Sequence, residues 1–457
     1  MFERYKVIHL VGIGGIGMSG IAEVLYNLGY DVRGSDISES DTVERLRVLG
    51  VEIFKGHRPE NVDGAHVVVI SSAIGRDNPE VLEAERRGVP VISRAEMLAE
   101  LGRLKYSVLV AGSHGKTTTT SLISTILAHG GLDPTVVIGG KLKALGTNAR
   151  LGRGDFMVAE ADESDGSFLK LIPTVGVVTN IDMEHMDYFT TMKALKEAFV
   201  SFMNRVPFYG VTVACIDDKN VREILPSVAR RVITYGLSKD ADLRAKNVRK
   251  GFMSMDFEAL AGKESLGRLS IPSPGEHSVL NALAATAVAL ELQVDIKQIK
   301  EALAGFGGIQ RRLELKGKAK GVSVFDDYGH HPTEIRATLR ALSESVKKGR
   351  LVVVFQPHRY SRTKLLMDEF ASSFGDADLL VMMDIYPAGE KPIKGIKTEA
   401  LIEKMKGRKG IFHARSAEEA VERLQGELRS GDVVLTLGAG NVWKVGDLLL
   451  ETLKSKK

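Results

Sequence analysis

The stretch SVLVAGSHGKTTTTSLISTILAHG, residues 107–130, decides the fold. Residues 107–111 read as a strand, and residues 118–129 carry apolar side chains at helical spacing. Between them lies Gly112-Ser113-His114-Gly115-Lys116-Thr117-Thr118. Gly-Lys-Thr between strand and helix is a phosphate-loop signature. Backbone N–H groups cradle a β-phosphate, Lys116 neutralises β/γ oxygens, and the Thr117 hydroxyl is placed to hold Mg²⁺. Position 110 is Val, so the loop is the short G-x-x-G-K-T form. An accidental helix cap is the alternative, and the agreement of strand, loop and helix weighs against it.

Working outward, residues 157–159 are strand-like and end in Glu160-Ala161-Asp162-Glu163-Ser164-Asp165. Residues 175–179 end in Asn180-Ile181-Asp182-Met183-Glu184-His185-Met186-Asp187. Carboxylates at parallel-strand tips are natural Mg²⁺ ligands, and Asp and Asn are also favoured helix caps. Two such clusters after a phosphate loop favour a metal-lined ATP cleft.

A second glycine loop lies near the N-terminus. Residues 5–11 form a candidate strand, then Gly12-Ile13-Gly14-Gly15-Ile16-Gly17, then a helical segment, 18–28. This is G-x-G-x-x-G in its strand–turn–helix context, suited to a diphosphate at a helix N-terminus. Asp36 ends the next strand-like piece, where an acidic residue can meet a ribose. The pattern fits a dinucleotide, a nucleotide-sugar diphosphate, or a turn that merely closes a βα unit.

Further strand-like runs at 66–71, 322–326, 351–356, 378–383 and 433–437 alternate with helical segments such as 79–87 and 416–428. Repeated βα alternation predicts an α/β chain of mainly parallel sheets. The strand-plus-glycine signature restarts near 105 and near 311. The expected domains are therefore 1–105, 106–310 and 311–457, with an antiparallel insertion over 240–272. The 457-residue length suits roughly three domains. Lys plus Arg is 62 against 58 Asp plus Glu, a net +4, which is no nucleic-acid footprint. One cysteine excludes an internal disulfide and a Cys metal cluster. No run approaches the roughly 18 apolar residues of a membrane span. Gly12, Gly14, Gly15 and Gly17 break the early apolar run, so it reads as strand and turn, not signal peptide. The expectation is a cytoplasmic protein with no membrane insertion and no nucleic-acid partner.

With these motifs in hand, the chain resembles the Mur ligases, ATP-dependent amide ligases of peptidoglycan precursor synthesis. The likeness runs in order through residues 12–20, 112–119, 160–164, 179–187, 274–285, 311–314, 326–332, 357–363 and 438–441. The most specific strings are Asp326-Asp327-Tyr328-Gly329-His330-His331-Pro332 and Pro357-His358-Arg359-Tyr360-Ser361-Arg362-Thr363. They resemble the branch adding L-alanine to UDP-N-acetylmuramate, not the branches adding D-glutamate, a diamino acid or a dipeptide.

The resemblance implies an N-terminal Rossmann-like domain for the UDP-sugar, a central P-loop ATPase with a mainly parallel sheet, and a C-terminal Rossmann-like domain for the amino acid. It implies that ATP activates the substrate carboxylate as an acyl phosphate, which the amine of L-alanine attacks. Gly12, Gly14, Gly15, Gly17, Met18, Ser19, His57, Ser71 and Ser72 would contact the UDP-sugar. Gly112, Ser113, His114, Gly115, Lys116, Thr117, Thr118, Asn281, Arg312 and Asp327 would bind ATP. Thr117 and Glu160 would hold one Mg²⁺ and His185 a second, with Lys116, Glu160, His185 and Arg312 as the catalytic set. His358, Arg359 and Arg362 would hold the alanine carboxylate. Arg311 reads as a surface partner. His330 and His331 either line the same cleft or cap the next helix. Many Mur ligases carry a carbamylated lysine; Lys193 and Lys196 are nearby, the pattern selects neither, and none is expected. A hinge is expected near 308–312. The rival readings are another Mur-family amide ligase, including a peptide-recycling one, an NAD-dependent oxidoreductase, and a non-catalytic nucleotide-binding switch.

Overall fold

A computed structural model of the chain describes residues 6–71, 73–139, 149–184, 186–346, 349–405 and 407–455. The strand leading into the phosphate loop is Tyr106–Ala111. It lies inside a ten-stranded sheet, between Val175–Val178 and Phe156–Glu160, parallel to both. Val175–Val178 is buried along its length, as a strand covered on both faces must be. Val211–Cys215 and Val232–Gly236 continue the parallel order on one side, and Thr135–Val137 on the other. Strands Leu243–Gly251, Ser254–Ala261 and Glu264–Ile271 finish one edge. Residues 252–253 and 262–263 alone separate them, so they are antiparallel hairpins. They are the insertion expected over 240–272.

The N-terminal sheet has five parallel strands in the order Glu52–Lys55, Asp31–Asp36, Val7–Val11, Val67–Ile70, Val91–Ser93. Sequence order reverses at Val7–Val11, and the first glycine loop leaves from that switch point, where open α/β sheets bind ligands. The C-terminal sheet runs Glu314–Ala319, Val322–Asp327, Val433–Leu437, Leu351–Phe355, Leu379–Met383, Ile411–Ala414. Its first strand is antiparallel and the rest are parallel.

The architecture is thus three-domain α/β, in two compact units. One holds the chain up to 247 with 257–270 and 279–307; the other holds 248–256, 271–278 and 308 onward. The first two sheets share a unit because their cores merge. Ile21, Leu25, Leu98 and Leu101 belong to one buried cluster with Leu109, Val137, Ala149 and Met157. Helix Ile16–Asn27 packs on strands Thr135–Val137 and Ala149–Arg150. The change of sheet near 105 is therefore not a gap between separate bodies. Among the described residues no helix is long and apolar enough to cross a membrane.

Candidate active site

Two glycines shape the phosphate loop. Gly112 has φ 132° and Gly115 φ 81°, conformations that side chains other than glycine rarely adopt. A Cβ at Gly112 would collide with Thr179 Oγ1, and one at Gly115 would lie 2.8 Å from Asn281 Oδ1. The tip of the neighbouring strand braces the loop. Asn180 Oδ1 accepts from His114 N at 2.8 Å, and Thr179 Oγ1 donates to His114 O at 2.6 Å. Ser113 Oγ accepts from Asp182 N at 2.8 Å, and His114 Nε2 lies 3.0 Å from Asp182 Oδ2. Thr179, Asn180 and Asp182 thus clamp the loop; the next helix is Met186–Phe189, and helix Met192–Asn204 beyond it takes its cap from Thr191.

Helix Lys116–His129 starts directly on the loop. Lys116 Nζ donates to Gly112 O at 2.6 Å and to both Glu163 carboxylate oxygens at 2.9 and 3.0 Å. Burial opposes the ammonium charge, but Glu163, Asp162 and Glu184 outweigh it and hold Lys116 above its ordinary value. Burial likewise pushes Asp162 up, and Lys116 with Ser164 pulls it below the usual carboxylate range. Glu160 stands opposite Val110 in the ladder, with Oε1 accepting from Gly139 N at 2.7 Å. Thr117 is buried in the first helical turn, and Thr118 follows, partly exposed. Asn281, buried in helix Glu276–Glu291, accepts from Thr119 Oγ1 at 3.2 Å. The fold therefore gathers Lys116, Thr117, Glu160 and Asn281 around one loop.

At the first loop, Gly12 has φ 76°, and Gly14 N donates to Asp36 Oδ2 at 2.9 Å. Asp36 also accepts from Ser38 N and Oγ, so the acid expected to meet a ribose braces the loop. Gly15 is the N-cap of helix Ile16–Asn27. Ser71 Oγ lies 3.5 Å from a Cβ built on Gly12, and His57 Nδ1 is 3.0 Å from Ser35 Oγ on the adjoining strand. A Cβ on Gly17 would come within 2.9 Å of Arg94 Nη1. Met18 and Ser19 are buried; Met18 Cγ lies 4.0 Å from a Cβ built on Gly15, and Ser19 Oγ donates to Ile16 O at 3.0 Å. Ser72 and His185 lie outside the described residues.

In the C-terminal unit the turn after strand Leu351–Phe355 carries the expected cations. Arg359 has φ 71°, a strained value for a non-glycine residue. Its N–H donates to Tyr386 O at 2.8 Å, and the His358 and Tyr386 rings stack at 5.6 Å and 9°. Arg362 Nη1 is 3.3 Å from His358 Nδ1; arginine only donates, so Nδ1 accepts. Burial, then His330, Arg362 and Arg359, push the His358 pKa down to about 3, keeping the ring neutral.

Residues 7–106, 110–289 and 311–440 match, in turn, the family models "Mur ligase family, catalytic domain", "Mur ligase middle domain" and "Mur ligase, glutamate ligase domain". The chain belongs to the Mur ligase family. It is 56% identical over 459 residues to the UDP-N-acetylmuramate–L-alanine ligase of Geobacter sp. (strain M21), covering 100% of both chains. Identity with the ligase of that name from Desulfatibacillum aliphaticivorans is 55%, over 98% of this chain and 99% of the relative. The crystal structure of UDP-N-acetylmuramate-alanine ligase from Thermotoga maritima superposes with a TM-score of 0.84 at 29% identity, covering 98% and 99% of the two chains.

Several placements in this Mur ligase differ from expectation. Arg311 is no surface partner. Its Nε donates to Asp326 Oδ2 at 3.0 Å and its Nη2 to Gly438 O at 2.6 Å, because buried Asp326 needs a cation. Asp327 is buried, with one oxygen accepting from Gly329 N and the other from Leu313 N, each at 2.8 Å. Burial raises its pKa to about 6 against the pull of Arg312. Each oxygen keeps a second lone pair with which to accept from a hydroxyl. Arg312 lies over the Tyr328 ring, 5.4 Å from its centroid, and 3.8 Å from Glu334. The two histidines divide the alternatives. His331 caps helix Pro332–Ser345, while the His330 ring lies 5.8 Å from His358.

Sequence reading missed Glu163 as the Lys116 counter-ion, Arg94 beside both Gly17 and Asp162, and Tyr386 under His358. Glu163 sat in a recognised acidic string, but nothing in the string selects it. Arg94 and Tyr386 carry no local signal.

Proposed function

We propose that the chain joins L-alanine to the lactoyl carboxylate of UDP-N-acetylmuramate, with ATP forming ADP and phosphate, in peptidoglycan precursor synthesis. The observation that carries this is the end-to-end likeness to ligases of that name, on a fold that gathers Lys116, Glu160 and Asn281 at one phosphate loop. ATP use is common to the family. In this reading the carboxylate attacks the γ-phosphate to give an acyl phosphate. The neutral amine of L-alanine attacks the acyl carbon, and the tetrahedral adduct releases phosphate.

Lys116 leaves Glu163 to neutralise charge growing on the β/γ oxygens, and the loop N–H groups hold the β-phosphate. The hard oxygen donors Thr117 and Glu160 fit Mg²⁺, which would screen the phosphates when bound. His185 keeps the second-metal role that the family resemblance implies. Arg312 and Asp327 keep the ATP-binding roles that the family resemblance implies. Gly308, Arg311 and Leu313 all have positive φ, at 81°, 61° and 44°, in the expected hinge. Arg359 and Arg362 offer planar forks to the alanine carboxylate. Domain limits of 1–105, 106–310 and 311–457 and a cytoplasmic location, where ATP and nucleotide-sugars are at hand, complete the proposal.

The test is phosphate release from UDP-N-acetylmuramate, ATP and Mg²⁺ with single amino acids. Release with L-alanine is expected. Strong release with D-glutamate and none with L-alanine, L-serine or glycine would overturn the reading.

A further inference from the structure

Beneath the first glycine loop lies a buried polar cluster that the reaction scheme does not use. Glu80, in the first turn of helix Pro79–Arg86, is fully buried. Its Oε1 accepts from Arg58 N at 3.3 Å and from the Asn61 amide. Its Oε2 meets Ser35 Oγ at 2.6 Å and His9 Nε2 at 3.3 Å. Burial pushes the carboxyl up, but His9, Ser35 and Asn61 more than offset this and keep it ionised.

Ser35 joins this cluster to both halves of the ligand-facing surface. Its carbonyl accepts Gly12 N at 2.8 Å and Ile13 N at 3.1 Å, so it carries the glycine loop. Its hydroxyl is 3.0 Å from His57 Nδ1, at the adjoining strand tip. A hydroxyl has one proton, and an ionised carboxylate only accepts. The Ser35 proton therefore goes to Glu80, and Ser35 Oγ can meet His57 only as an acceptor. In a neutral ring His57 then carries its proton on Nδ1, which also lies 3.5 Å from Glu80 Oε2, and Nε2 keeps a lone pair. Asn61 reinforces the placement by donating also to Gly56 O, at 3.1 Å, just before His57.

We propose that Glu80 is a positioning residue for the nucleotide-sugar: through Ser35 it fixes His57 in the Nδ1–H form, so that Nε2 accepts a hydrogen bond from an N–H or O–H of the uridine. The proposal rests on the first loop being the UDP-sugar site. A Glu80→Gln substitution would reverse the relay. Arg58 N and Asn61 both donate on the Oε1 side, so the new carbonyl turns there and the amide NH₂ faces Ser35. Ser35 would then donate to His57, which would shift to the Nε2–H form.

The experiment is ¹⁵N NMR of the full chain labelled at histidine, with the His57 signals assigned by His57→Gln. The expected result is a neutral His57 with Nδ1 protonated in the native chain and Nε2 protonated in Glu80→Gln. An Nε2–H tautomer in the native chain overturns the proposal without needing any Glu80 variant to fold. Kinetics gives the second readout. Glu80→Gln should raise KM for UDP-N-acetylmuramate about tenfold, the loss of one hydrogen bond, with kcat and KM for ATP unchanged. Substrates methylated at uracil N3 or lacking the ribose 2′-hydroxyl separate the two donors. The one that weakens binding to the native chain, and not further to Glu80→Gln, identifies the donor; no weakening by either overturns the proposal. If His57→Gln leaves KM for UDP-N-acetylmuramate unchanged, Nε2 has no ligand to accept from and the proposal fails; if UDP does not compete with UDP-N-acetylmuramate and Gly14→Ala leaves its KM unchanged, the UDP-sugar reading of the loop fails instead.

Discussion

The phosphate loop and the turn after strand Leu351–Phe355 are both cationic tips of buried parallel strands, yet they handle charge in opposite ways. Lys116 is supplied with its own counter-ion, the buried Glu163, and is held charged above its ordinary value. At the second tip burial, His330, Arg362 and Arg359 push the pKa of His358 down to about 3, with Glu390 pulling the other way, so this ring carries no charge near neutral pH. In the proposed reading, an incoming polyphosphate would replace one anion, Glu163, by another at Lys116. In the same reading, an incoming amino-acid carboxylate would meet Arg359 and Arg362 beside a neutral His358. The first arrangement suits a strongly charged ligand that can displace a resident carboxylate. The second suits a small, singly charged one.

The largest test of this contrast is Lys116→Met. It removes the cation that would neutralise the β/γ oxygens and takes from Glu163 its lysine partner. Phosphate release should fall about 10²–10³-fold, and unfolding free energy by about 3–5 kcal/mol because a buried charge is left uncompensated. Near-normal turnover in a steady-state assay would break the comparison at its first term. Next comes Arg362→Lys, which keeps the charge and loses the planar fork. KM for L-alanine should rise about 10-fold, as for one charge-assisted hydrogen bond, with kcat little changed. A fall in kcat at constant KM would place Arg362 elsewhere. Glu163→Gln sharpens the counter-ion argument. With the competing carboxylate neutralised, KM for ATP should fall a few-fold, by roughly 1 kcal/mol of lost competition. An ATP KM that rises would show Glu163 helping the nucleotide to bind.

The last test is in pH. The folded-state pKa of His358 is depressed from 6.5 to about 3, so its share of stability is complete above 6.5 and is lost as pH falls. Buried His277, lowered by burial and Arg312 to about 4, acts the same way. Asp327 is raised from 3.8 to about 6, so its share is complete below 3.8 and is lost as pH rises through 6. Between pH 4 and 6 these slopes oppose, each up to about 1.4 kcal/mol per unit. In denaturant melts, Asp327→Asn should make stability climb more steeply with pH there, and His358→Gln should make it climb less. Identical profiles for the two variants would remove the contrast.

How much was legible in advance follows from how local each signal is. Gly112–Thr118 could be read because strand, glycines and helix are contiguous, and backbone N–H groups bind phosphate wherever that order occurs. The clamp on the loop was seen only as an acidic-amide string. Whether Asn180 and Asp182 faced metal, capped a helix or held His114 depended on the strand beside them. Arg311 and Arg312 look equivalent in sequence. Buried Asp326 and the Gly438 carbonyl, far along the chain, pinned the first of them.

The sequence by itself determined the α/β class, the three glycine- or cation-bearing strand tips and the family. These depend on contiguous residues, period and spacing. The tertiary structure alone decided the partners: Glu163 for Lys116, Glu80 with Ser35 for His57, Tyr386 for His358, and the common core of the first two sheets. Each joins residues from different elements. Burial makes such pairings obligatory, since a charge or donor taken out of water must find a partner. Which partner it finds is set by how the sheets and helices pack.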